Sequence, residues 1–181
     1  MRLTRINVRV FTMLLLLQVS SAFALNLSVQ QELINAQLSG QGSYRWYGIK
    51  IYEALLWRET VTDNRIALTD SKFILELVYA RDLRGKRIAE ASLDEIRKLN
   101  RGTPVQQSVW LQLMQDTFPD VHEGTRLSGV YLPGQGVRFY LDGRLLKEIA
   151  DVEFARAFFS IWLDEHTSAQ SLRKQLLGLP S

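Results

Sequence analysis

The 181-residue chain has no cysteine, which excludes disulfides, thiolate nucleophiles and thiolate metal sites together. Histidine is almost as scarce: His122 and His166 are the only two. The acids beside them, Asp120, Glu123, Asp164 and Glu165, fall in two separate predicted turns, whereas a metal centre needs three or four converging ligands. No metal site is expected. No serine stands in a G-x-S-x-G context, so a nucleophile elbow is not expected either. Gly40-Gln41-Gly42 precedes a strand rather than opening a helix, so it reads as a turn and not as a phosphate cradle. No cofactor follows from any of these features. Four prolines, and no repeat, low-complexity tract or Pro/Ser-rich linker, argue for one domain.

Long apolar runs are also missing, apart from Met13 to Leu17 in "MRLTRINVRVFTMLLLLQVSSAFA". Arginines before that run and Ala22-Phe23-Ala24 after it form the layout of a secretory signal peptide, with a cut expected after Ala24. The run is too short to span a bilayer, and no later segment is long and apolar enough to do so. Residues 1–24 therefore read as an export signal and residues 25–181 as a periplasmic or secreted domain without a stable membrane span. The signal holds three of the 22 basic residues and none of the 19 acidic ones, so nineteen of each remain. A neutral mature domain gives no reason to expect nucleic acid.

What the chain does have is alternating and helical apolar pattern. Residues 43–57, "SYRWYGIKIYEALLW", are dense in aromatic and β-branched types and read as one extended strand. "KFILELVY", 72–79, reads as a second, central strand. Asp82 is placed to cap a helix running to about Leu99, with Ile88, Ala91, Ser92, Ile96 and Leu99 on one face. Thr103-Pro104 with Gln106 marks the start of another, by a capping box with proline at the first helical position. Strands follow near 126–132, 136–141 and 144–149, joined by Pro133-Gly134 and Asp142-Gly143; the second pair is a strong type I′ hairpin signal. Asp151 caps the next helix, and a last one starts at Ser168 and stops at Gly178. Strands joined by hairpins and segregated from helices predict an α+β fold: an antiparallel sheet with a layer of helices on one face.

The helix in "DVEFARAFFSIWLDEHTS", 151–168, is unusual. Glu153, Arg156, Ser160 and Asp164 share one narrow stripe, and roughly two-thirds of its circumference is apolar at about 100° per residue. A docked helix needs an apolar face of little more than about 100°. Phe158, Ile161 and Trp162 are therefore candidate ligand-binding residues on the surplus face, although a second helix covering it is equally consistent. Arg45 and Tyr47, two apart on the predicted strand, leave from one face. A ligand carboxylate held by both is one way to satisfy a buried arginine; an internal acid such as Glu53 or Glu76 is another. The basic run "RDLRGKR", 81–87, crowds a predicted helix start, where an anion or an acidic neighbour is needed.

The segment 129–178, "GVYLPGQGVRFYLDGRLLKEIADVEFARAFFSIWLDEHTSAQSLRKQLLG", resembles the C-terminal half of bacterial chalcone isomerase-like proteins, with its D-G-R hairpin, F-A-R-A, I-W-L and closing L-L-G. "YGIKIYEALLW", 47–57, resembles the family's long strand and "YARDL", 79–83, its R-D step. The resemblance implies an open-faced sandwich with an apolar cleft between sheet and helices. Plant enzymes of the superfamily close a flavonoid ring, and some plant relatives bind fatty acids without catalysis. The plant arginine that follows a G-x-G turn is matched one step late by Arg45, a slip that reverses its face. Their threonines fall on Tyr47 and Ile161, and their tyrosine–asparagine pair has no counterpart in 103–118. Each lost oxyanion donor typically costs about 10²–10³ in rate. Three readings remain: a non-catalytic domain binding a small hydrophobic or fatty-acid-like ligand, an isomerase with altered chemistry, and a structural or partner-binding module without a cavity.

Overall fold

The computed structural model describes residues 27–59 and 70–180; the expected export signal lies outside the described residues. Six strands form one sheet: β1 (Ala36–Trp46), β2 (Ile49–Glu59), β3 (Phe73–Tyr79), β4 (Arg126–Leu132), β5 (Gly136–Leu141) and β6 (Arg144–Ile149). They lie in chain order and every neighbouring pair is antiparallel. After a short α1 (Leu27–Gln30), the helices are α2 (Gly85–Lys98), α3 (Pro104–Thr117), α4 (Val152–Leu163) and α5 (Gln170–Leu177). The fold is α+β, with α2 to α5 on one face of the sheet.

The strand expected at 43–57 is two strands. Tyr47 and Gly48, at φ 46° and 80°, turn the chain back on itself in type I′ geometry. An aromatic at a left-handed position carries no turn signal, so composition alone ran the two strands together. Gly40-Gln41-Gly42 is likewise no turn; it lies inside β1. There the missing side chains let α5 settle, because a Cβ on Gly40 would overlap the Gln175 carbonyl and stand 2.6 Å from that of Leu176.

Period-two alternation divides the sheet. Leu56, Phe73, Leu75, Leu77, Leu127, Val137 and Phe139 join the helices in the main core. Leu55, Trp57, Ile74, Val130 and Tyr140 face the other way, where Val29 and Leu33 cover them. This strap is tied down by Glu32, whose carboxylate accepts from Lys72 Nζ at 2.8 Å, from Arg138 at 3.1 Å and from the Tyr140 hydroxyl. Burial tends to raise the Glu32 pKa, but the hydrogen bonds and charges of these partners outweigh it and hold the carboxyl below its ordinary range.

Local signals set the helix ends. The Thr103/Gln106 capping box forms as expected, and Asp151 accepts from the Phe154 N–H at 2.9 Å. Asp82 does not cap α2. The N–H of Gly85 donates to Asp120 at 2.9 Å instead, an acid brought in by the β4 side of the fold. The buried face of α2 is Gly85, Ala89, Ser92, Leu93 and Ile96, rotated from the expected one. The last helix begins at Gln170 rather than Ser168, and Gly178 ends it at φ 64°.

Candidate functional site

The surplus apolar face of α4 is consumed by packing. Phe158 meets Phe118, Phe139 and Trp162 edge-on or tilted at 5.1–5.9 Å. Trp162 donates its indole N–H to the Tyr52 hydroxyl at 3.0 Å, and Tyr52 stacks on Tyr44 at 5.1 Å. Ile161 is buried, and its carbonyl accepts from the Thr167 hydroxyl at 2.5 Å. Burial drives the pKa of Tyr52 and of Tyr79 far upward, with the Trp162 hydrogen bond opposing it at Tyr52. Phe158, Ile161 and Trp162 are thus brought together, but as core.

Space opens instead on the opposite side of α4, along its polar stripe. An open cleft of about 770 Å³ runs there. At 100° per residue, Arg156, Phe159 and Leu163 face the sheet end and α5, while Glu153, Ala157 and Asp164 face the start of α3. The contacts agree. Phe159 meets Phe73 and Tyr131 at 4.9 and 5.6 Å, Arg173 Nε donates to the Leu163 carbonyl at 2.9 Å, and Arg101 pairs with Asp164 at 2.6 Å. Trp110, hydrogen-bonded to Asp151 at 3.1 Å, forms part of the wall.

The floor is aromatic, with one polar exception. Tyr131 stacks on Phe73 at 4.9 Å and is 1% exposed, yet its hydroxyl has no hydrogen-bond partner among the described residues. At the rim, Arg156 is 3.5 Å from Glu153, whereas Arg173 makes no ion pair among the described residues. Burial raises the Asp164 pKa, but the His166 backbone N–H and Arg101 outweigh it and lower the carboxyl below its usual range. No three metal-binding side chains converge among the described residues.

Residues 21–178 match the family model described as chalcone isomerase-like. The chain belongs to the chalcone isomerase-like family. It is similar to an uncharacterized protein of Haemophilus influenzae, 32% identical over 139 residues that make up 77% of this chain. Those residues span 66% of that protein's length. Among solved structures it is similar to a fatty-acid binding protein of Arabidopsis thaliana, with TM-score 0.62 and 14% identity, covering 80% of this chain and 87% of that one. That likeness is one of fold.

In this chalcone isomerase-like chain, Arg45 and Tyr47 do not share a strand face beneath α4. Both sit at the β1–β2 hairpin, exposed, with Arg45 Nη1 donating to the Gly48 carbonyl at 3.0 Å. Neither reaches the cleft. The internal acids considered for Arg45 have other partners: Glu53 holds Lys50 at 2.6 Å and Ser43 at 2.8 Å, and buried Glu76 takes both Arg126 Nε and Nη2 at 3.0 and 2.9 Å. Tyr131 and Arg173, which the sequence reasoning missed, lie in the resembling segment. The available signal was the parity of β4, which puts Tyr131 with Leu127 and Gly129 on the helix side; nothing local marks Arg173.

Proposed function

We propose that this domain is a non-catalytic carrier of a small hydrophobic, fatty-acid-like ligand, held in the cleft beside α4 of an exported protein. The observation that carries the reading is Tyr131, a residue of the cleft floor whose hydroxyl is buried behind the lining side chains and has no hydrogen-bond partner among the described residues. Leaving such a group unsatisfied costs about 1–3 kcal/mol, which a ligand oxygen recovers. Phe73 and Phe159 supply the apolar contact, and the free guanidinium edge of Arg173 supplies counter-charge for a carboxylate. The fold shared with a plant fatty-acid binding protein supports the ligand class. The non-catalytic part of the reading rests on Tyr47 lying in a turn and Ile161 in the core, where the plant enzymes carry threonines.

Native mass spectrometry of the protein purified from its own host tests this directly. The expected result is a co-purifying acidic lipid released on denaturation, and an N-terminus at Leu25 in the exported fraction. Tyr131→Phe is expected to lower retention of a fluorescent fatty acid about tenfold while raising the stability of the empty protein by about 1 kcal/mol. Absence of any bound molecule, together with probe binding unchanged in Tyr131→Phe, refutes the reading.

A further inference from the structure

The β1–β2 hairpin ends in three large apolar side chains that the fold does not use. Trp46 is 60%, Tyr47 88% and Ile49 51% exposed. Among the described residues the two aromatic rings meet only each other, edge to face at 5.0 Å. Tyr47 also occupies a left-handed position, at φ 46°, where type I′ turns favour Asn, Asp or Gly. Another such turn among the described residues follows that preference, with Asp142-Gly143 at φ 47° and 83°. A bulky residue in this conformation is unfavourable, and Tyr47 returns nothing to the core to offset it. Its use lies outside the fold.

The surroundings indicate what meets it. The β2–β3 pairing runs to Tyr52 and Tyr79, and the Ala80 N–H still reaches the Ile51 carbonyl at 2.9 Å. Beyond that point the hairpin has no neighbour in β3, so its tip projects by two residues, about 7 Å. Arg45 and Lys50 pair across the hairpin beneath the tip, and Arg81 follows Ala80 at the same end of the sheet. Arg84 and Lys86, both exposed, lie just beyond at the start of α2. Of the acids nearby, Glu53 pairs with Lys50, Asp82 stands 3.3 Å from His122 Nδ1, and Asp120 accepts from the Gly85 N–H; the basic side chains outnumber these three acids. Arg45, Arg81, Arg84 and Lys86 make no ion pair among the described residues.

We propose that the Trp46-Tyr47-Ile49 tip is a peripheral docking site for an anionic lipid surface. Tryptophan and tyrosine favour the membrane–water interface, the projection matches the depth of about 5–10 Å reached by interfacial elements, and the unpaired cations complement lipid phosphates. No described helix is long and apolar enough to cross a membrane, so the contact is peripheral. This inference is independent of the ligand proposed for the cleft.

The mature protein, purified from its exporting host, should be mixed with vesicles of phosphatidylcholine alone or with added phosphatidylglycerol. Trp57, Trp110 and Trp162 are buried, so quenching by brominated lipid reports on Trp46. Expected are Trp46 quenching and co-sedimentation with the anionic vesicles only, weakening between about 0.1 and 0.5 M NaCl as screening sets in. Arg45→Gln should lower partitioning about fivefold, and Tyr47→Asn about tenfold. Tyr47→Asn should also raise the melting temperature, because it relieves the turn; a purely structural tyrosine would give a lower one. Equal partitioning of wild type and Tyr47→Asn, or no preference for anionic vesicles, overturns the proposal. A dimer that forms without lipid and is lost in Tyr47→Asn overturns it in favour of a second copy of the chain.

Discussion

Replacing Gly40 by alanine tests how α5 is seated on the sheet. Glycine inside a strand is itself unfavourable by about 0.5–1 kcal/mol relative to alanine, and Gly40 is absent from the positive-φ residues. With nothing above β1, the substitution would therefore stabilise the protein slightly. In this fold the new methyl would overlap the Gln175 carbonyl oxygen and stand 2.6 Å from that of Leu176. Both are backbone atoms, so no rotamer change relieves the contact and α5 must lift. Overpacking typically costs about 1–3 kcal/mol. Lifting the helix also exposes part of Leu172 and Leu176, now buried, each contributing about 1.5–3 kcal/mol when fully buried. The expected net loss is about 3 kcal/mol, or about 6–12 °C in melting temperature for a domain of this size. Urea unfolding gives the magnitude, and amide exchange over 170–177 shows whether α5 is the element released. Gly42→Ala is the control: its Cβ meets the end of the Gln175 side chain and Leu172 Cδ1 at 2.9 Å, and the exposed Gln175 side chain can swing away. An unfolding midpoint for Gly40→Ala equal to or above wild type would refute the docking of α5 on β1.

The pairing of Glu76 with Arg126 predicts an asymmetry. Arg126→Leu leaves a carboxylate buried to 1% side-chain exposure without its partner and should cost about 3–5 kcal/mol, whereas Glu76→Leu/Arg126→Leu together should recover most of it in the same urea titration. Glu32 predicts an acid dependence. Its folded pKa lies below the ordinary 4.5, so the strap's contribution is complete above about pH 4.5 and is lost as pH falls through the lower folded value. Glu32→Gln should lower the midpoint at neutral pH and flatten its decline in acid, with Glu53 and Asp164, also depressed, retaining their share; an unchanged acid profile would count against the anchor. Beneath the strap, Tyr140 of β5 is pushed up to about 12 by burial and by the Glu32 carboxylate it donates to, so a difference spectrum through alkaline pH should show, ahead of the still later Tyr52 and Tyr79, a tyrosine transition that moves back toward normal in Glu32→Gln.

Much of this fold was legible because its signals are local. The capping box at Thr103, the cap at Asp151, the Asp142-Gly143 turn and the alternation in β3 to β5 each depend on residues a few positions apart. The β1–β2 reversal was not legible, because Tyr47 occupies a turn position that its own preferences argue against. One continuous strand would set Arg45 and Tyr47 on a shared face; the turn at Tyr47-Gly48 separates them from α4 and from the cleft. The helical wheel of α4 divides apolar from polar residues as the structure does, but the cleft lies along the polar stripe and not on the surplus apolar face. Phe158, Ile161 and Trp162 bury themselves against Phe118, Phe139 and Tyr52, while the opening follows Glu153, Arg156, Ser160 and Asp164.

The order of residues by itself determined the α+β class and several helix and hairpin boundaries, since periodicity and capping act within a few residues along the chain; the family resemblance lay in the motifs of 129–178. Only the tertiary structure decided which apolar face is filled and which is left open. That outcome depends on how side chains from β2, α3, α4 and α5, far apart in sequence, share one volume. It also decided that the Tyr131 hydroxyl is without a partner among the described residues and that Asp120, not Asp82, meets the start of α2. Burial and hydrogen-bond satisfaction are properties of neighbours in space, and no local pattern encodes them.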